Sequence, residues 1–106
     1  VFRAVFDSFR DAGGSLDVAG SIPGWCEAAG LTAPHLEPVC RIGRPGTPVW
    51  RWVDEFLTSY VPTLVERGYL TRDDAEACRA WWDAQANNPA AFISAPPMLT
   101  VVAARR

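Results

Sequence analysis

Few residue types in this chain can do chemistry: one histidine, three cysteines, a set of tryptophans and tyrosines, and ten arginines with no lysine. A general base must lie within hydrogen-bond reach of the proton it takes. His35 opens a segment that reads as an edge strand, so a surface or structural role is the expectation for it. Cys26, Cys40 and Cys78 are odd in number and widely spaced. That pattern fits neither a disulfide framework nor a zinc pair. Each lies among apolar or mixed neighbours, where cysteine acts as a small hydrophobe. Reduced thiols in a cytoplasmic protein are the expectation, with no metal site.

The aromatic residues offer more. Trp52, Phe56 and Tyr60 recur at i, i+4 and i+8, one row of a helix. Trp50, Leu57 and Leu64 share another face. The second row reads as core. In the first, Trp52 and Tyr60 carry polar tips on apolar bodies, which suits a substrate pocket, an interface or packing. Arg51 and Arg44 border the loop before this helix. An arginine beside a pocket can grip a carboxylate or phosphate in two parallel hydrogen bonds. Trp52, Tyr60 and Arg51 are therefore the candidate substrate-binding residues. No catalytic residue is assigned. Trp81 and Trp82 point about 100° apart on a helix, so one is expected in the core and the other exposed.

The elements that would position these residues follow from pattern. Phe2, Val5, Phe6 and Phe9 mark a helix over 1–12 that ends at Gly13 and Gly14. Ser21 as N-cap and Pro23 in the first turn predict a short helix that Gly30 closes. Residues 35–43 read as a strand, and Pro38 makes it an edge because proline cannot donate to a ladder. Residues 49–67 predict a helix kinked by Pro62 and terminated by Gly68. Thr71 begins the next helix, with Asp73 and Asp74 in its first turn. A last strand over 98–104 is apolar on both faces, the mark of a strand inside a sheet.

Composition bounds the rest. With 106 residues the chain is one domain or a fragment of one. A net charge of −2 gives no footprint for nucleic acid and no polybasic patch for a membrane. No apolar run approaches the ~20 residues of a membrane span. Arginine in place of every lysine reads as the base composition of a GC-rich bacterium. The first residue is Val rather than Met, which implies a processed, trimmed or partial chain.

The order helix, short helix, edge strand, helical insertion, interior strand resembles the last third to half of class I S-adenosylmethionine-dependent methyltransferases. "GWCEAAGL" at 24–31 is similar to the helix that precedes their sixth strand. "LVERGYLTRDD" at 64–74 resembles a segment of bacterial members with a helical insertion, and "NNPAAFISAPPMLTVVAARR" at 87–106 resembles their ending. The resemblance covers nearly the whole chain. It implies an α/β, partial Rossmann-like methyltransferase fold. In such a fold two late strands pair antiparallel, with a helical insertion at about 49–86 between them and helices packed on the pair.

The resemblance also implies a function: the C-terminal, substrate-side part of an enzyme that moves a methyl group from S-adenosylmethionine to a small organic acceptor. The cofactor half is missing. No apolar strand leads into a glycine-rich loop and a helix, and Asp17 follows a Gly-Gly-Ser turn instead of a strand. No cofactor-binding residue is assigned, and this segment is not expected to bind the cofactor or to be active alone. The expected partners are the acceptor and either a missing N-terminal half or a second copy. The alternative is a stand-alone binding or dimerisation module without catalysis.

Overall fold

Two antiparallel strand pairs and four helices make up the computed structural model, which describes residues 1–32 and 34–106. Helix α1 spans Phe2–Asp11 and α2 spans Val18–Ala28. Strand β1 (His35–Val39) is followed by the short β2 (Ile42–Gly43). Helices α3 (Pro48–Glu66) and α4 (Arg72–Gln85) come next. The chain then returns through β3 (Ile93–Ser94) to β4 (Met98–Val102).

The strands pair as nested layers. β1 and β4 run antiparallel from His35↔Val102 to Val39↔Met98. Inside that pair, β2 and β3 match Ile42 with Ser94 and Gly43 with Ile93. The expected antiparallel pair with a helical insertion between its strands is therefore present, in a mixed α/β chain. The predicted strand 35–43 is two strands, not one. Its alternation continues across Cys40 and Arg41, but the chain leaves β1 there and β2 joins a second sheet. Cys40 is exposed, against its reading as a buried hydrophobe.

Local chemistry explains the helical insertion. Thr47 caps α3, its Oγ1 accepting from Trp50 N at 3.5 Å, with Pro48 in the first turn. Gly43 lies under this start. A Cβ there would come within 2.6 Å of Val49 Cβ and 2.7 Å of Thr47 Oγ1, so only glycine allows the approach. α3 runs through Pro62, which lacks the N–H for one helical bond. It ends at Gly68, whose φ of +80° suits glycine, and Tyr69 N closes back on Leu64 O at 2.9 Å. Three residues later Thr71 Oγ1 accepts from Asp74 N at 3.1 Å and starts α4, as its sequence predicts.

The main apolar cluster lies between α1 and α3. Leu64 is fully buried and packs with Ala4 and Val5, beneath Phe9, Tyr60, Tyr69 and Leu70. Of the predicted stripe Phe2, Val5, Phe6 and Phe9, Val5 is buried and Phe9 packs half-buried on the cluster, while Ala4 and Ser8 complete the buried face. Small residues let the helices close. Ser8 Oγ also lies 2.7 Å from Tyr60 Oη and donates to Val5 O. Phe2 and Phe6 are left exposed. Across the seam, Tyr69 Oη donates to Asp11 Oδ2 at 2.6 Å, which raises the phenol above its usual range.

α2 begins a turn earlier than expected. Asp17 holds the N-cap position without a side-chain bond, Ser21 lies within the helix, and Pro23 is interior. β4 departs furthest from expectation. Its apolar sequence predicts a strand buried inside a sheet, yet four of its five residues are exposed, and Val102 is 59% exposed. β1 is its sole ladder partner among the described residues. It also ends at Val102, before the predicted 104. Side-chain burial is set by what covers a strand, and α2, the helix packed near β4 among the described residues, leaves most of it exposed.

The total surface reflects this. A folded monomer of 11.6 kDa exposes about 5,800 Å², whereas this chain exposes 7692 Å². Its radius of gyration is 17.5 Å, against about 13 Å for a compact domain of this length. Among the described residues, no helix is long and apolar enough to cross a membrane.

Candidate functional site

The charged side chains converge where the start of α3 lies beside the end of α4. Arg79 is the hub. Its Nη2 donates to Asp54 Oδ1 at 2.7 Å and to Asp83 Oδ1 at 2.8 Å. Its Nε reaches Asp83 Oδ1 at 3.0 Å, and its Nη1 reaches Thr58 Oγ1 at 2.9 Å. Trp82 Nε1 donates to the same Asp54 Oδ1 at 2.8 Å. The hydrogen bonds from Arg79 and then Trp82 hold the Asp54 carboxyl below the usual carboxylate range. Asp83 and Asp54 push the Arg79 guanidinium further up from its ordinary value.

Beneath this network the Trp50 and Trp82 indoles stack, with centroids 4.3 Å apart and planes 16° off parallel. Both are buried, while Trp81 is 63% exposed, so the adjacent tryptophans divide as their helical spacing predicts. Together Trp50, Arg51, Asp54, Arg79, Trp82 and Asp83 line an open cleft of about 360 Å³. That volume falls at the lower end for small-molecule sites.

The three sequence candidates part company here. Arg51 lines the cleft. Trp52 is on another face of α3 and is 48% exposed. Tyr60 belongs to the α1–α3 seam, where it meets Phe9 at 5.5 Å and Phe56 at 5.2 Å between ring centroids. The row Trp52, Phe56, Tyr60 thus runs from surface to core and does not join Arg51 in one site. His35 lies on exposed β1, with Nε2 3.4 Å from Glu37 Oε1, far in role from any cleft. Asp54, Arg79 and Asp83 escaped the sequence reading. The i, i+4 spacing of Arg79 and Asp83 is a signal that could have found that pair, but no local signal marks Asp54.

The adenosyl cofactor implied by the resemblance does not fit the residues present. Among the described residues, the one stretch that runs from a strand through glycine to a helix is 42–48. Its Pro45 and Pro48 carry no N–H, and Thr47 N is already bonded to Arg44 O at 3.1 Å. That leaves too few donors for a cradle, and no residue of this chain is assigned to that cofactor. Among the described residues, no group of three or more His, Cys, Asp or Glu side chains is placed to hold a metal ion. What fold and site define is a mixed α/β chain with a late antiparallel pair, a charged helical hairpin inserted in it, and a cleft on the hairpin. Family models, curated proteins and solved structures were compared with the chain, and none matches it.

Proposed function

We propose that this chain is the C-terminal, substrate-side part of a methyltransferase that uses S-adenosylmethionine to methylate a small organic acceptor. It would belong to a Rossmann-like domain whose cofactor half lies outside these residues. β1 and β4 would form the late edge of that domain's sheet. The α3–α4 hairpin would cover the acceptor side, where catalysis rests largely on holding the acceptor in line with the transferred methyl. Arg51 is the one sequence candidate with a place in the hairpin cleft, and it would bind acceptor.

The observation that carries the reading is the exposed β4: an apolar, proline-free strand with one ladder partner, in a chain that exposes on the order of 1,900 Å² more than its mass requires. A permanent interface buries area on that scale. The in-frame coding sequence upstream of Val1 tests it. An apolar strand, a glycine-rich loop and an acidic strand end are expected within the ~100–200 residues of one domain, and the encoded product should bind S-adenosylmethionine in a titration calorimeter. A start codon directly before Val1 overturns the reading. The free β4 edge would then favour the second one, a binding or dimerisation module, and light scattering would show a monodisperse dimer.

A further inference from the structure

The hairpin cleft has a charge pattern of its own. Arg79 is largely committed: four of its five N–H donors go to Asp54, Asp83 and Thr58. Each carboxylate uses Oδ1 for these bonds, which leaves its Oδ2 without a hydrogen-bond partner among the described residues. Two carboxylates around one guanidinium make a group of net charge −1. Facing the same space is Arg51, an exposed cation with no carboxylate within 4.0 Å among the described residues. The floor is apolar, built from the stacked Trp50 and Trp82.

An anion alone would meet the carboxylates, and a cation alone would meet Arg51. A molecule carrying both charges satisfies both walls. We propose that the cleft binds a small zwitterion of the amino-acid class with an apolar body, its carboxylate on Arg51 and its ammonium on the free oxygens of Asp54 and Asp83. The volume of about 360 Å³ admits one such molecule. Arginine grips a carboxylate bidentately, and carboxylates receive an ammonium through charge-assisted bonds. The apolar body lies along the indole edges. The site deepens the methyltransferase reading, in which Arg51 binds the acceptor, but binding of the zwitterion needs no cofactor and is tested without one, so either can fail without the other.

The test follows the indole N–H resonance of Trp82, which reports both a folded hairpin and events beside Asp54. L-leucine is the probe. Leucinamide lacks its carboxylate and 4-methylpentanoate lacks its ammonium. At pH 6.5 the amide's ammonium stays protonated. Leucine is expected to shift the resonance saturably, and each half-ligand to bind at least about tenfold more weakly, the worth of one charge-assisted bond. Arg51→Gln should bring leucine down to the leucinamide level and leave leucinamide itself unchanged. Asp83→Asn should weaken leucine and leucinamide and spare 4-methylpentanoate. The site is overturned by any of three results: no saturable shift with leucine, equal binding of leucine and either half-ligand, or a leucine affinity that Arg51→Gln leaves unchanged.

Discussion

The helical hairpin carries charge among its apolar residues and β4 carries none, yet it is the hairpin that is the better buried of the two regions. The hairpin closes on itself. Threonine hydroxyls cap both helices, Arg79 ties them together, Trp50 stacks on Trp82, and Leu64 is wholly buried against α1. The sheet has a full antiparallel ladder but little cover: α2 lies against β4, yet Leu36, Met98, Leu99 and Val102 are all exposed. Backbone pairing satisfies hydrogen bonds but buries little apolar area, and buried area is the larger source of stability. A strand edge left open in this way is also a template for association. The hairpin is tied by side chains from both of its helices, whereas the sheet is held mainly by its backbone ladder.

The largest effect that separates the two regions is expected at Leu64. Its replacement by alanine removes a side chain with 0% exposure and leaves a cavity, at a cost of about 2–5 kcal/mol. Urea unfolding followed by tryptophan fluorescence measures it. A loss below about 1 kcal/mol would mean that the α1–α3 seam is not the core of the chain.

Asp54→Ala comes next. It strips an acceptor from both Arg79 and the Trp82 indole N–H. Leaving the buried indole donor unpaired costs about 1–3 kcal/mol, toward the low end because the Asp54 carboxyl is 41% exposed and screened. The same group fixes the acid limit of the hairpin. Its folded-state pKa is depressed, so the stability it contributes is fully present above the ordinary carboxylate range near ~4. That stability is lost only as pH falls through the lower folded value. An acid melt of the parent and of Asp54→Asn should therefore coincide least near neutral pH and converge at the acid end.

Much of the hairpin was legible because its instructions are local. Thr71 with Asp73 and Asp74, Gly68 after an apolar stripe, and the opposed Trp81 and Trp82 are signals within a few residues of one another. The antiparallel pairing of the predicted strands 35–43 and 98–104 was implied by the resemblance and not by local pattern; the ladder itself joins 35–39 to 98–102. Three features were not legible. α2 starts at Asp17 without the side-chain bond that marks a cap. The turn away at Cys40 and Arg41 interrupts a strand whose alternation does not pause. The exposure of β4 is set by what packs against it and not by the strand's own residues. For the cleft, Arg51 was found and Trp50 was assigned to core, which it is, while it also floors the site. Asp54 and Arg79 lie on different helices, and only the hairpin's closure brings them together.

A smaller effect tests the local origin of the hairpin. Thr71→Ala removes the cap bond to Asp74 N and should cost about 1 kcal/mol. Thr47→Ala should cost less, because its bond to Trp50 N is long at 3.5 Å. Thermal melts of the two variants give the ranking. The reverse order would mean that the close packing of Thr47 over Gly43 outweighs its cap.

The smallest effect is expected in the sheet. Val102 pairs with His35 and is 59% exposed, so Val102→Thr exchanges one solvated β-branched side chain for another. Away from burial such changes stay within about 0.5 kcal/mol. That near-neutrality is a property of the exposed strand and gives the comparison its sharpest edge. If β4 is covered in solution by a second copy, the same substitution places a hydroxyl in an apolar interface, and the loss rises to about 1–3 kcal/mol. The midpoint of the melt would then also climb with protein concentration, as it must for a fold stabilised by association. Melts of the parent chain and Val102→Thr across a hundredfold dilution decide between the two. Coincident, concentration-independent curves mean that no second copy covers the strand.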